Sequence, residues 1–256
     1  MTIRVGVVGA GGRMGRTVCE AVAGDAELEL AAAADAAGGE PVAGVAVAPD
    51  VGGFAAAGVE VAVDFTVAAA ARANLPALAG AGIHAVVGTT GFDDADLAAF
   101  AAVFAAAGRN CVIAPNFAIG AVLMMRFAEL AAPWFDSAEV IELHHDQKID
   151  APSGTAMLTV ERMAAASSQW SPDPTEREVV AGARGGAAAG GIHVHSVRLR
   201  GLVAHQEVLL GTTGQSLTIR HDSYDRSSFM PGVLLAVKQV AGRPGLTVGL
   251  DQLLGI

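Results

Sequence analysis

Ile3-Arg-Val-Gly-Val-Val-Gly-Ala-Gly-Gly-Arg-Met-Gly15 decides how this chain folds. Residues 3–8 are rich in valine and isoleucine and read as a strand. A glycine-rich turn follows at once, and residues 16–23 carry a helical pattern. Strand, glycine turn and helix, in that order, is the context a dinucleotide fingerprint requires. Glycines let the turn close and let backbone approach a pyrophosphate, whose charge then sits at the helix N-terminus. Gly9, Ala10, Gly11, Gly12, Arg13 and Met14 are therefore candidate cofactor contacts. The usual last glycine of G-x-G-x-x-G would fall on Met14, but here it comes one place later, at Gly15. A plain tight turn is the alternative; the strand and helix on either side favour the nucleotide.

Downstream, residues 28–34 read as a second strand with Asp35 at its end. That is the place of a carboxylate accepting the hydroxyls of an adenosine ribose. Ala36 and Ala37 follow, so no basic side chain succeeds it to hold a 2′-phosphate, although Arg13 lies within reach of one. NADH is expected to serve well and NADPH is admitted. Residues 38–53 read as a loop, 59–63 as a strand running into Asp64-Phe-Thr66, and 67–79 as a helix kinked or broken at Pro76. A strand at 84–87, a helix at 94–107 and a strand at 111–114 complete the alternation. It predicts a Rossmann-type, doubly wound parallel sheet, which binds ligands at the carboxyl ends of its strands. Gly88, Thr89 and Thr90, with Ala114, Pro115, Asn116 and Phe117, stand at such ends. They are candidates to line the nicotinamide half of a cofactor, ordinary turn chemistry being the alternative.

An apolar helix at 119–131 leads out of this unit. A strand at 138–144, a helix at 156–165 and strands at 192–198, 203–210 and 216–221 follow, with turns at Gly201 and at Gly211-Thr-Thr-Gly214. Residues 167–184, with Pro172 and Pro174, show no pattern and read as a mobile loop. Four strands and one long helix predict an α+β domain with an open sheet. Residues 227–241 read as a helix with Pro231 in its first turn, a permitted place, and 244–256 as a short tail. The expected division is 1–117 with 226–256 for the dinucleotide, and an inserted 118–225 for substrate and oligomerisation.

The 256 residues allow one large or two modest domains, and 52% hydrophobic content supplies a core. The net charge of −10 argues against a nucleic-acid partner, which needs a basic face. The longest apolar runs, 97–108 and 111–125, are too short for a span or are interrupted by Pro115 and Asn116. The N-terminus lacks the features of an export signal, so no membrane partner and a cytoplasmic location are expected. Cys19 and Cys111 are far apart and fall in a helix and a strand, as buried reduced thiols would.

Most reactive groups gather in Glu142-Leu-His-His-Asp-Gln-Lys-Ile-Asp-Ala-Pro-Ser-Gly-Thr-Ala156. Strand alternation puts Val140, Glu142 and His144 on one face, and Ile141, Leu143 and His145 on the other. Gly154 and Thr155 at a helix start offer N–H groups and a hydroxyl to an anion. Lys148 adds positive charge, and His144 titrates near enough to neutrality to donate a proton. Asp146 and Asp150 orient these groups or form turns. Plain surface polarity is the competing reading. A metal site is disfavoured: His193 and His195 share a strand face, but no acidic or cysteine partner is suitably spaced.

This stretch closely resembles the signature of the 4-hydroxy-tetrahydrodipicolinate (dihydrodipicolinate) reductase family. Gly9-Ala-Gly-Gly-Arg-Met-Gly15, Gly88-Thr-Thr-Gly-Phe92 and Asn116-Phe-Ala-Ile-Gly-Ala121 are similar to the family's other motifs, as are His195-Ser-Val-Arg-Leu and Ile219-Arg-His-Asp-Ser. Ala36 departs from the basic residue that many members carry there. The resemblance implies reduction of a dicarboxylate nitrogen heterocycle by NADH or NADPH, with loss of water, in lysine and diaminopimelate biosynthesis. It implies His144 and Lys148 as proton donors, and His145, Gly154 and Thr155 as substrate contacts. It implies Gly9–Met14, Asp35, Gly88–Thr90 and Ala114–Phe117 for the cofactor, and a homotetramer built through the second-domain sheet. Two other readings compete: another nicotinamide-dependent dehydrogenase of this architecture, and a sensor that binds NADH without consuming it.

Overall fold

A computed structural model describes residues 2–256 as two compact units. One runs to Ala118 and resumes over Phe229–Ile256; the other is Ile119–Ser228.

The first unit begins β1 (Ile3–Val8), α1 (Arg13–Gly24), β2 (Leu28–Ala34), β3 (Val47–Ala48), β4 (Val61–Asp64) and α2 (Ala68–Gly80). It continues with β5 (His84–Val87), α3 (Asp94–Ala106) and β6 (Cys111–Ile113). The sheet order is Leu246–Val248, β6, β5, β4, β1, β2, β3, with every pair parallel. Strands proceed one way from β1 and then resume on its other side at β4, the crossover that opens a ligand crevice in such sheets. Val5, Val7, Val63 and Val86 are wholly enclosed, as strands covered on both faces require. Phe54, Leu75, Leu78, Ile83 and Phe104 pack one side of the core. Both cysteines are buried and free.

Five details depart from the sequence reading. Helix α1 starts earlier, at Arg13, because the Gly12 carbonyl already accepts from Arg16 N at 3.0 Å. Helix α2 continues through Pro76; Leu75 and Leu78 are anchored in the core on either side and outweigh one lost backbone bond. The 38–53 loop contributes β3, which extends the sheet beside Ala33 and Ala34. The tail is not merely a tail. Leu246–Val248 pairs with Cys111–Ile113 as a further strand, and a short helix, Asp251–Leu254, follows. The closing helix is shorter than read, Met230–Gln239 after a 3-10 turn at Arg226–Phe229. Pro231 lies in its first turn, where a missing N–H needs no partner.

The second unit contains α4 (Ile119–Ala131), β7 (Ser137–His144), α5 (Gly154–Ala166), β8 (Gly186–Ala187), β9 (His193–Arg198), β10 (Ala204–Thr212) and β11 (Gln215–Ser223). The sheet order is β11-β10-β7-β9-β8; β7 and β9 are parallel and the other pairs antiparallel. The two-residue β8 is a fifth strand beyond the four expected. Strand β10 runs on to Thr212, so the hairpin turn shrinks to Thr213-Gly214. Helices α4 and α5 pack on the sheet, against β11 and β7 respectively. Val140 and Val208 are fully buried, whereas Ile141, Leu143 and Leu209, of opposite parity, are only half-buried. Residues 167–185 hold no helix or strand. Arg184 ties this segment to the sheet by bonding Glu139 at 2.5 Å and Asp173 at 3.3 Å.

Candidate active site

In the first unit the glycine turn is forced by contact as well as by conformation. Gly9 has a φ of 83°, and a Cβ there would lie 2.9 Å from the Phe65 carbonyl oxygen. A Cβ on Gly15 would overlap the Gly9 carbonyl itself. The first turn of α1 thus lies directly on the loop, which aims the N-terminal N–H groups of a helix at an incoming anion. Asp35 leaves β2 with its carboxylate fixed: Gly11 N donates to one oxygen at 3.0 Å and Ala37 N to the other at 2.9 Å. Each oxygen keeps a lone pair for a hydroxyl. A cavity of about 510 Å³ opens here, lined by Gly9, Gly12, Asp35, Ala36, Thr66 and Asn74 among others.

Gly88–Thr90 and Ala114–Phe117 lie at the carboxyl ends of β5 and β6 in the same sheet. Two residues outside the sequence reading of the site organise them. Asp64, fully buried at the end of β4, accepts from Thr66 N (2.9 Å), Thr66 Oγ1 (2.6 Å), Asn74 Nδ2 (3.0 Å) and Thr89 Oγ1 (3.0 Å). Four donors compensate its burial and link two strand-end loops. Phe65 fills the space that a side chain on Gly88 would need, and its ring meets Phe117 at 5.7 Å between centroids. The signal was in Val-Ala-Val-Asp-Phe-Thr: an aspartate ending an apolar strand must find donors, and a threonine two residues on supplies two.

In the second unit the chemistry gathers at the end of β7. Register sets His144 between Arg198 on β9 and Ala204 on β10. Glu142, two residues back on the same face, is fully buried. Its carboxylate meets His144 Nδ1 at 2.5 Å and both terminal nitrogens of Arg198 at 2.8 Å. It also accepts from Ser153 N at 3.2 Å. Burial works against the Glu142 charge, but bonds from Arg198, Ser196 and His144 prevail and hold it below the usual carboxylate range. Burial pushes the His144 imidazole below its ordinary value; Glu142 opposes that, while Lys148 and Arg198 reinforce it.

The turn after β7 carries the other groups. His145 is exposed, its Nδ1 accepting from Gln147 N at 3.2 Å. Lys148 Nζ donates to both oxygens of Asp150, at 2.7 and 2.8 Å, and holds that carboxyl below its usual range. Ser153 caps α5, its Oγ accepting from Ala156 N at 3.2 Å. Gly154 and Thr155 form the start of α5, and a Cβ on Gly154 would meet nothing within 4 Å. A positive helix end with open space beside it suits a carboxylate. His193 and His195 stand near the other end of β7, where His193 meets Asp173 at 3.4 Å and His195 meets Glu139 at 2.6 Å. Each histidine has its own carboxylate, and they are not brought to His144.

Sequence profiles of one family match both halves of the chain: "Dihydrodipicolinate reductase, N-terminus" over residues 3–117 and "Dihydrodipicolinate reductase, C-terminus" over 120–254. Proteins named 4-hydroxy-tetrahydrodipicolinate reductase from Beutenbergia cavernae and Nocardia farcinica are 53% and 54% identical, with full coverage of both chains in each case. A solved dipicolinate-bound dihydrodipicolinate reductase from Paenisporosarcina sp. TG-14 superimposes with a TM-score of 0.89 at 39% identity, covering 98% of this chain and 99% of that one. GenD2 from gentamicin A biosynthesis, solved with NAD, shares the fold at a TM-score of 0.64 and 17% identity, covering 98% of this chain and 90% of that one.

Proposed function

The chain belongs to the dihydrodipicolinate reductase family, and on that premise we propose that it reduces 4-hydroxy-tetrahydrodipicolinate to tetrahydrodipicolinate and water, using NADH or NADPH. It is an oxidoreductase of lysine and diaminopimelate biosynthesis. The observation that carries the reading is the end of β7, where His144, braced by a buried carboxylate, stands near Lys148 in sequence and beside the capped, open start of α5.

The glycine turn, which a side chain would fill, and the fixed Asp35 fit a dinucleotide. Gly9, Ala10, Gly11, Gly12, Arg13 and Met14 would hold the pyrophosphate, and Asp35 the adenosine ribose. Gly88, Thr89, Thr90, Ala114, Pro115, Asn116 and Phe117 would line the nicotinamide side. Bound there, the cofactor supplies a hydride. On the substrate side, His145, Gly154 and Thr155 hold the two carboxylates of the ring by charge-assisted hydrogen bonds. Departure of the hydroxyl as water conjugates the ring, and hydride addition then pushes an electron pair into it. His144 and Lys148 donate the proton that completes the balance.

NADH should support turnover at least comparably to NADPH, because the Asp35 carboxylate repels a 2′-phosphate and Ala36 offers it no cation. The check is steady-state kinetics on ring substrate generated in place from pyruvate and aspartate semialdehyde by the preceding synthase. An NADPH preference on the order of a hundredfold in kcat/KM, more than about 2 kcal/mol, would overturn this cofactor assignment.

The half-buried face of the second-unit sheet, with Ile141, Leu143 and Leu209, supports a homotetramer assembled through it. Light scattering at four times the chain mass of 25.7 kDa is expected, and a single chain mass would contradict it. Cytoplasm is the proposed compartment, with no nucleic-acid or membrane partner. The net charge of −10 argues against a nucleic-acid partner, and no helix among the described residues is long and apolar enough to cross a membrane.

A further inference from the structure

Glu142 is not among the groups that would touch the ring, yet it is fully enclosed and charged. Burying a carboxylate is costly unless donors surround it. Arg198 and Ser153 supply them, and the single carbonyl oxygen of a glutamine could still accept from Ser153 N and from one Arg198 nitrogen. Its amide would then stand where the other oxygen accepts from Arg198 Nη1 and meets His144 Nδ1, so glutamine gives up one Arg198 bond and cannot accept from His144. A carboxylate 2.5 Å from Nδ1 accepts a proton held on that nitrogen. Nε2, across the ring, is then the nitrogen that gains and gives up the working proton. Negative charge beside the ring also favours the imidazolium, as carboxylates behind catalytic histidines do elsewhere.

The same carboxylate reaches the anion turn. It accepts from Ser153 N, and the Ser153 hydroxyl caps α5. Its partner Arg198 also donates to the Asp150 carbonyl at 2.6 Å, so both ends of the 150–153 segment are tied to one ion pair. We propose that Glu142 is a positioning residue that fixes the tautomer of His144, supports its charged form and, through Arg198, sets the acid in register with the anion turn. This rests on the reading of His144 as the proton donor.

The charged groups around His144 are known from each element that packs on it. Glu142 comes from its own strand, Arg198 from β9 and Lys148 from the following turn, where Asp150 pairs with it; Ala204 on β10 brings no charge. One carboxylate therefore opposes two cations, and removing it leaves the imidazolium without support.

The test is the pH profile of kcat for Glu142→Gln. Turnover should fall roughly tenfold to a hundredfold, part of what a positioned acid supplies. The loss of rate on raising pH should set in at lower pH than in the unaltered chain, and Glu142→Asp, which keeps the charge, should move it back. In a His144→Ala background the glutamine substitution should cost less than about threefold more, because groups acting as a unit are not additive. A slower enzyme with an unshifted profile, or full additivity, would reduce Glu142 to a merely structural role. Should Glu142→Gln not fold, ¹⁵N spectra of the His144 ring in the unaltered chain decide the matter. The neutral ring should carry its proton on Nδ1, and a proton on Nε2 overturns the proposal. If the unaltered chain does not turn over the ring at all, the functional reading fails, while the tautomer measurement still judges the positioning.

Discussion

Lys148→Ala should turn over the ring substrate roughly a hundredfold to ten-thousandfold more slowly than the unaltered chain, and bind NADH as before. The size reflects what a proton donor and its charge contribute when electron density enters a conjugated ring. The fold should tolerate the change. The ammonium's ion pair is with Asp150, which is more than half exposed, and such pairs contribute about 0–1 kcal/mol. Cofactor affinity should hold because the groups assigned to the dinucleotide all belong to the other unit. Fluorescence titration with NADH beside the steady-state assay separates the two effects, and a large loss of NADH binding would refute this division of labour. His144 provides the companion pH argument. Its imidazole lies below the ordinary value, chiefly through burial, so the ligand-free group gives up its proton at lower pH than an ordinary histidine. A doubly anionic ring favours its protonation, and turnover should decline as pH rises through the value in the complex.

Gly15→Ala should weaken NADH binding at least about a hundredfold, some 2.7 kcal/mol. The added methyl would overlap the Gly9 carbonyl and come within 2.8 Å of the Ala10 Cα. Backbone cannot rotate away as a side chain can, so the first turn of α1 must lift from the loop, and the N–H groups there lose their aim. Local overpacking costs about 1–3 kcal/mol, which a domain of this size survives. Circular dichroism should therefore still show a folded chain. NADH binding within about threefold of the unaltered chain would show that the close approach at Gly15 does not shape the cofactor seat.

The first strand, glycine turn and second strand were legible because an apolar run, a turn and a carboxylate are adjacent in sequence. The groups of the second site were legible for the same reason: His144 to Thr155 is one continuous stretch. What surrounds them was not. Arg198 reaches Glu142 across 56 positions, and only the parallel register of β7 and β9 places it there. From sequence Asp64 reads only as a strand end; its donors Asn74 and Thr89 come from a helix and a distant loop. Leu246–Val248 is too short to carry a periodicity, and only its pairing with β6 makes it a strand. Pro76 predicts a break by local chemistry, but core packing of Leu75 and Leu78 keeps α2 whole. His193 and His195 share a strand face as read, but Asp173 and Glu139 claim them separately.

Hydride transfer to the ring can be followed directly by mass spectrometry. With NADH carrying deuterium at both C4 positions and ring substrate made in place by the preceding synthase, tetrahydrodipicolinate formed by this chain should be heavier by one deuterium. Cofactor consumption with unlabelled tetrahydrodipicolinate, or no consumption in the presence of the ring, would contradict the account.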